Sequence, residues 1–146
     1  MKNEKLFSLL SCYIALESKV RNYHWNVECH HFTEYHKYFE EEYEVLSGEI
    51  DRIAEQIRKL GEKVPFNLEN VVNYCKKTGL NIANDAERSV DMVLCLLESN
   101  KQIIEMIKDL ISEFEGKRDY IGTIGLLDDL LESREKDAWF LTSLSK

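Results

Sequence analysis

Hydrophobic residues return every three or four positions along four long stretches of this chain. The first carries Leu6, Leu9, Leu10, Tyr13, Leu16, Val20 and Tyr23. The second carries Phe32, Tyr35, Phe39, Tyr43, Leu46, Ile50, Ile53, Ile57 and Leu60, and from Phe39 its steps alternate four, three, four, three. That alternation is the seam of a helix packed in a bundle. Gly61 and Pro65 then stop it. The third stretch runs from about Ala83 to Glu115, with Val90, Leu94, Leu97, Ile104, Ile107, Ile111 and Phe114 on one stripe and Gly116 closing it. The fourth runs from near Thr123 to Leu144 through Leu127, Leu130, Leu131, Ala138 and Leu141. Between the second and third stretches, Leu68 to Lys76 reads as a brief helix behind an Asn67 cap, broken at Thr78-Gly79. The pattern predicts an all-α four-helix bundle with a short extra helix in the crossover between helices 2 and 3.

Composition narrows this further. The 146 residues suit one domain spanning 1–146, with no linker or repeat to divide it. Six glycines and one proline are about 5% of the chain, where roughly 12% is usual, too few for the turns of a sandwich or barrel. Nineteen basic and 27 acidic residues leave a net charge of −8, which argues against a protein built to neutralise phosphates. The longest apolar run, Val93 to Leu97, falls far short of the ~20 residues of a membrane helix. The N-terminal residues show no cleavage signal, and Cys12, Cys29, Cys75 and Cys95 form neither a zinc spacing nor a disulfide framework. Reduced, core-packing thiols in a cytoplasmic protein are the expectation.

All four histidines, His24, His30, His31 and His36, fall within thirteen residues. A di-iron site inside one bundle draws on two Glu-x-x-His motifs. Glu28 to His31 is one such string, and none can follow His36. Asp51 and Glu55, four apart on helix 2, project from one face. Yet fifteen residues at about 1.5 Å each put Asp51 roughly 22 Å from His36, while metal–ligand bonds are about 2 Å long. One chain cannot close a site from these residues. Two chains can, if a two-fold axis sets their second helices antiparallel, with His24 joining from the end of helix 1. Nitrogen and carboxylate oxygen together suit a divalent first-row metal with open positions, iron before zinc. The remaining nitrogen of each histidine then requires an acceptor.

Taken alone, the same residues also have plainer readings. Asp51 and Glu55 suit a solvated helix face, with Arg58 as an ion-pair partner for Glu55. His30 and His31 suit a loop, His36 suits a part-buried position beside Tyr35 and Phe39, and Trp25 and Trp139 suit the core.

Arg21 to Val27, Phe32, His36, Phe39-Glu40, Tyr43, Leu46 and Asp51 through Gly61 closely resemble the Dps family of mini-ferritins. The far end, Thr123, Leu126-Leu127 and Glu135 to Leu141, resembles that family's last helix. The resemblance implies a ferritin-like fold. It implies that His24 and His36 are ferroxidase histidines, and that Asp51 and Glu55 are the ferroxidase carboxylates supplied by a two-fold-related subunit. It further implies that Glu40 helps bind or pass on iron, and that Trp25 and Trp139 intercept oxidising equivalents beside the site. The implied activity is oxidation of ferrous iron, preferentially with hydrogen peroxide, with ferric oxyhydroxide stored inside a shell of twelve subunits.

Three positions depart from the family pattern. Cys29 stands where glycine is usual, which implies a different loop or a thiol near metal entry. Gly125 stands where an aspartate lines an iron pore, leaving Asp119, Asp128 or Asp129 as substitutes. Only Lys2 and Lys5 precede helix 1, in place of a lysine-rich tail that binds DNA. Twelve such chains would carry on the order of −96, so DNA binding is not expected and DNA coating is the alternative reading.

Overall fold

The computed structural model describes residues 1–83 and 85–146. Five α-helices follow one another: α1 (Glu4–Asn26), α2 (Phe32–Lys59), α3 (Leu68–Thr78), α4 (Ser89–Phe114) and α5 (Ile121–Leu144), with a 3-10 turn at Arg118–Tyr120 leading into α5. No strand occurs among the described residues. α1 packs against α2 and α4, α4 against α5, and α2 closes on α5, so the four long helices enclose one core. α3, in the crossover, lies against α1. This is the predicted bundle with its extra crossover helix.

Helix ends follow local chemistry. The Asn67 side chain accepts the Asn70 backbone N–H at 2.8 Å, capping α3 where the sequence places the cap. Gly61, after α2, has φ of 92°, and Gly79, after α3, has φ of 79°. Both lie in the left-handed region that glycine adopts without a Cβ penalty.

Three expectations need correction. α4 begins at Ser89, not near Ala83; Ala83 and residues 85–88 are not helical, and Asn84 lies outside the described residues. The stripe on α4 is also out of phase near its start. Val90 and Leu94 are exposed, while Met92, Val93, Leu96, Ser99, Asn100 and Ile103 are buried. Polar Ser99 and Asn100 hold core positions, which counting apolar residues alone missed, while Leu97, Ile104, Ile107 and Phe114 of the predicted stripe are buried as expected. Trp25 and Trp139 are also not core: they are 68% and 65% exposed.

Candidate metal centre

His24 sits in the last turn of α1 and His36 in the second turn of α2. The connection between them is a short loop in which the Phe32 N–H donates to the Cys29 carbonyl at 3.1 Å. No non-glycine residue has a positive φ among the described residues, so Cys29 occupies this loop without backbone strain. It is half-buried and packs against the core.

The turn brings the two histidines face to face. Their rings stack with centroids 3.8 Å apart and planes 14° from parallel. His24 Nδ1 lies 2.7 Å from the His36 carbonyl oxygen, and His36 Nδ1 lies 2.7 Å from the His24 carbonyl oxygen. A carbonyl only accepts, so each Nδ1 carries the proton and donates it. In the neutral ring this leaves the Nε2 lone pair uncommitted on both imidazoles. Each histidine therefore orients the other through its backbone, the arrangement that ligating histidines require of their second nitrogen. Phe32 stacks on the outer face of His36 at 4.9 Å, and Tyr43 meets His24 edge-on at 5.3 Å. Arg21 lies over the Tyr43 ring at 4.1 Å and donates to Glu17 at 2.8 Å, tying the pair to both helices.

Asp51 and Glu55 lie on the exposed face of α2. α2 runs unbroken from Phe32 to Lys59, so the helical rise of about 1.5 Å per residue applies along its whole length. Among the described residues of one chain, no three His, Cys, Asp or Glu side chains converge as a metal-holding group. Glu40, half-buried, is one turn beyond His36 on the same helix. Arg58 donates to the Glu62 carbonyl at 3.1 Å rather than pairing with Glu55. His30 and His31 are exposed around the loop. Asp129, one substitute for the absent pore aspartate, pairs with Arg52 at 2.9 Å.

The sequence reading missed a second cluster, in the bundle centre. Arg134 is fully buried on α5. Its Nη1 lies 2.6 Å from Glu42 and 3.5 Å from Asp137, and its Nε lies 3.4 Å from Glu49. Nη1 also donates to Asn100 Oδ1 at 3.1 Å, and Asn100 Nδ2 donates to Asp137 at 2.8 Å. The Tyr38 hydroxyl donates to the same aspartate. One guanidinium faces three buried carboxylates. Burial pushes the Glu42 carboxyl up to about 8, against the opposing pull of Arg134. The signal was present as a heptad: Leu127, Leu130, Arg134, Asp137 and Leu141 step by three, four, three and four, with two charged residues on core positions.

A ferritin-like domain family model matches residues 3–146. A low-temperature-induced protein of Nostoc sp. is 32% identical over 125 residues, covering 86% of this chain and 69% of that one. The DNA protection during starvation protein of Helicobacter pylori is 30% identical over 128 residues, covering 88% and 87%. In structure, the Dps protein of Vibrio cholerae, described as a member of a broad superfamily of ferritin-like diiron-carboxylate proteins, superposes with a TM-score of 0.90 at 26% identity, covering 98% and 87%. No described helix is long and apolar enough to cross a membrane. The all-helical bundle, its crossover helix and these likenesses agree: the chain belongs to the ferritin-like family, whose general function is iron sequestration and oxidative protection, as a mini-ferritin of the Dps type.

Proposed function

We propose that the chain is the subunit of a cytoplasmic ferroxidase that oxidises Fe(II), preferentially with hydrogen peroxide, and stores the ferric product as mineral inside a hollow shell of twelve copies. The site lies between subunits. His24 and His36 of one protomer supply nitrogen, while the partner subunit's Asp51 and the partner's Glu55 supply oxygen across a two-fold axis. The observation that carries this reading is the reciprocal lock of the two histidines, each Nδ1 held at 2.7 Å by the other's carbonyl. It presents two parallel imidazoles with free Nε2 atoms, a donor set suited to Fe(II) as substrate.

The residues then act by charge and position. Imidazole nitrogens hold ferrous ion while leaving positions for oxidant. Carboxylates stabilise the ferric over the ferrous charge, which favours electron loss. A peroxide that takes two electrons from a pair of irons avoids the one-electron step that frees hydroxyl radical. Glu40, one turn from His36, is assigned to helping bind iron or pass it on. Trp25 and Trp139, both exposed, are assigned to intercepting stray oxidising equivalents.

A His36→Ala, Asp51→Ala double variant that still assembles is expected to lose peroxide-driven iron oxidation. Oxidation at the wild-type rate would overturn the site assignment. The net charge of −8 per chain supports a shell that leaves DNA alone. A mobility-shift assay at about 50 mM salt, where phosphate contacts are strong, should show unretarded DNA. Retardation would favour the DNA-coating reading.

A further inference from the structure

Lys19, on α1, is only 2% exposed, and its ammonium is held by neutral acceptors. Nζ donates to the Asn81 carbonyl at 2.5 Å, to the Ser99 hydroxyl at 3.4 Å and to the Cys95 sulfur at 3.5 Å. None of the three is a carboxylate, and burying an ammonium without one is costly. Cys95, on α4, is half-buried, so it is open to a small solute. Beside it stands Tyr23, whose side chain is wholly buried and whose hydroxyl has no hydrogen-bond partner among the described residues. The Cys95 thiol lies beside that hydroxyl, whose O–H can donate. An amine, a thiol and a buried O–H thus meet where α1 packs on α4, with Tyr23 one residue before His24 on α1.

We propose that Cys95 is a peroxide-oxidised thiol whose sulfenic acid is captured by Lys19, giving a reducible sulfur–nitrogen link that staples α1 to α4. The sulfur attacks one oxygen of hydrogen peroxide. An S–O bond forms, the O–O bond breaks, and the departing hydroxide takes the thiol proton as water. The Lys19 nitrogen, after losing one proton to solvent, attacks that sulfur. An S–N bond forms, the S–O bond breaks, and the departing hydroxide leaves as water with a second nitrogen proton. Sulfur is oxidised by two electrons, and the peroxide is reduced to two waters. Tyr23 is the donor placed to stabilise the departing oxygen. Holding the amine 3.5 Å from sulfur makes capture intramolecular, so it competes well with a second peroxide arriving from solution. The link thereby holds the thiol short of irreversible oxidation.

The test uses the intact assembly, treated with hydrogen peroxide in the presence of an iron chelator. Free thiols are then blocked, and the protein is digested without reductant and weighed by mass spectrometry. The expected product is a Lys19 peptide joined to a Cys95 peptide, lighter than their sum by two hydrogens, uncut at Lys19 and separated by dithiothreitol. It should fall to background in Cys95→Ser and in Lys19→Met. If either variant fails to fold, the wild-type product alone decides. Cys95 recovered as free thiol, as sulfinic or sulfonic acid with Lys19 unmodified, or joined to another cysteine would overturn the proposal. So would a linked pair heavier by an oxygen, which places that atom between sulfur and nitrogen. The chelator removes the iron chemistry, so this result stands or falls apart from the ferroxidase reading.

Discussion

At the scale of single residues, Arg134 pairs with more carboxylates than any other cation among the described residues. Among the described residues it is the one cation paired with Glu42, Glu49 and Asp137, all within 3.5 Å of its guanidinium. Removing it leaves Glu49 and Asp137 without their counter-ion and Glu42 without its donor in a buried site, and breaking such a cluster from one side costs on the order of 3–5 kcal/mol. Arg134→Met should therefore lower the thermal unfolding midpoint sharply. Adding Glu42→Gln and Glu49→Gln should restore much of the loss, because the Glu49 charge goes and two neutral amides can donate to Asp137 and to each other. Failure of the added changes to restore stability would mean that the ion cluster is not what Arg134 supports. His24 and His36 work differently. Their mutual carbonyl bonds cost no charged partner, and they position two rings through backbone that the helices already hold rigid.

At the scale of elements, helix starts and stops were legible wherever they depend on local chemistry. Asn67 caps α3, and Gly61 and Gly79 take the left-handed backbone that ends their helices. Asn67→Ala should destabilise the crossover helix by about 1 kcal/mol, measurable as faster amide exchange in α3 with the long helices unaffected. Exchange unchanged in α3 would show the cap to be dispensable. The stripe on α4 was legible from Leu97 to Phe114 but not in its first turns, because the core face includes Ser99 and Asn100. An Asn in the core is tolerated only once its donors and acceptor are satisfied, and Asn100 finds Asp137 and Arg134 on α5. Those partners are 34 and 37 residues away in sequence, so periodicity along α4 cannot report them.

At the scale of the whole molecule, the unbroken α2 helix is the deciding feature. It keeps His36 and Asp51 of one chain roughly 22 Å apart at the helical rise. A site drawing on both must therefore come from two chains, which yields a test by complementation. Chains bearing His36→Ala and chains bearing Asp51→Ala should each assemble without activity. Co-assembled at random, about half the two-fold contacts are mixed, and each mixed contact keeps one of its two sites intact, so about a quarter of the wild-type activity should return. A site built within one chain would return none. The mass of the assembly, near twelve times 17.2 kDa, is the accompanying check on the shell.

The sequence by itself determined the helical class, the extra helix in the crossover, the clustering of histidines at one turn and the impossibility of closing a site with Asp51 in one chain. These follow from periodicity, capping and helical rise, which are local. Only the tertiary structure decided how the histidines are oriented, that Trp25 and Trp139 face outward, that Arg134 fills the bundle centre and that Lys19 meets Cys95. Each of these depends on how different helices face one another, and the physical cause is packing. Which side chains meet is settled by how helices turn their faces to one another, a property no single stretch of chain contains.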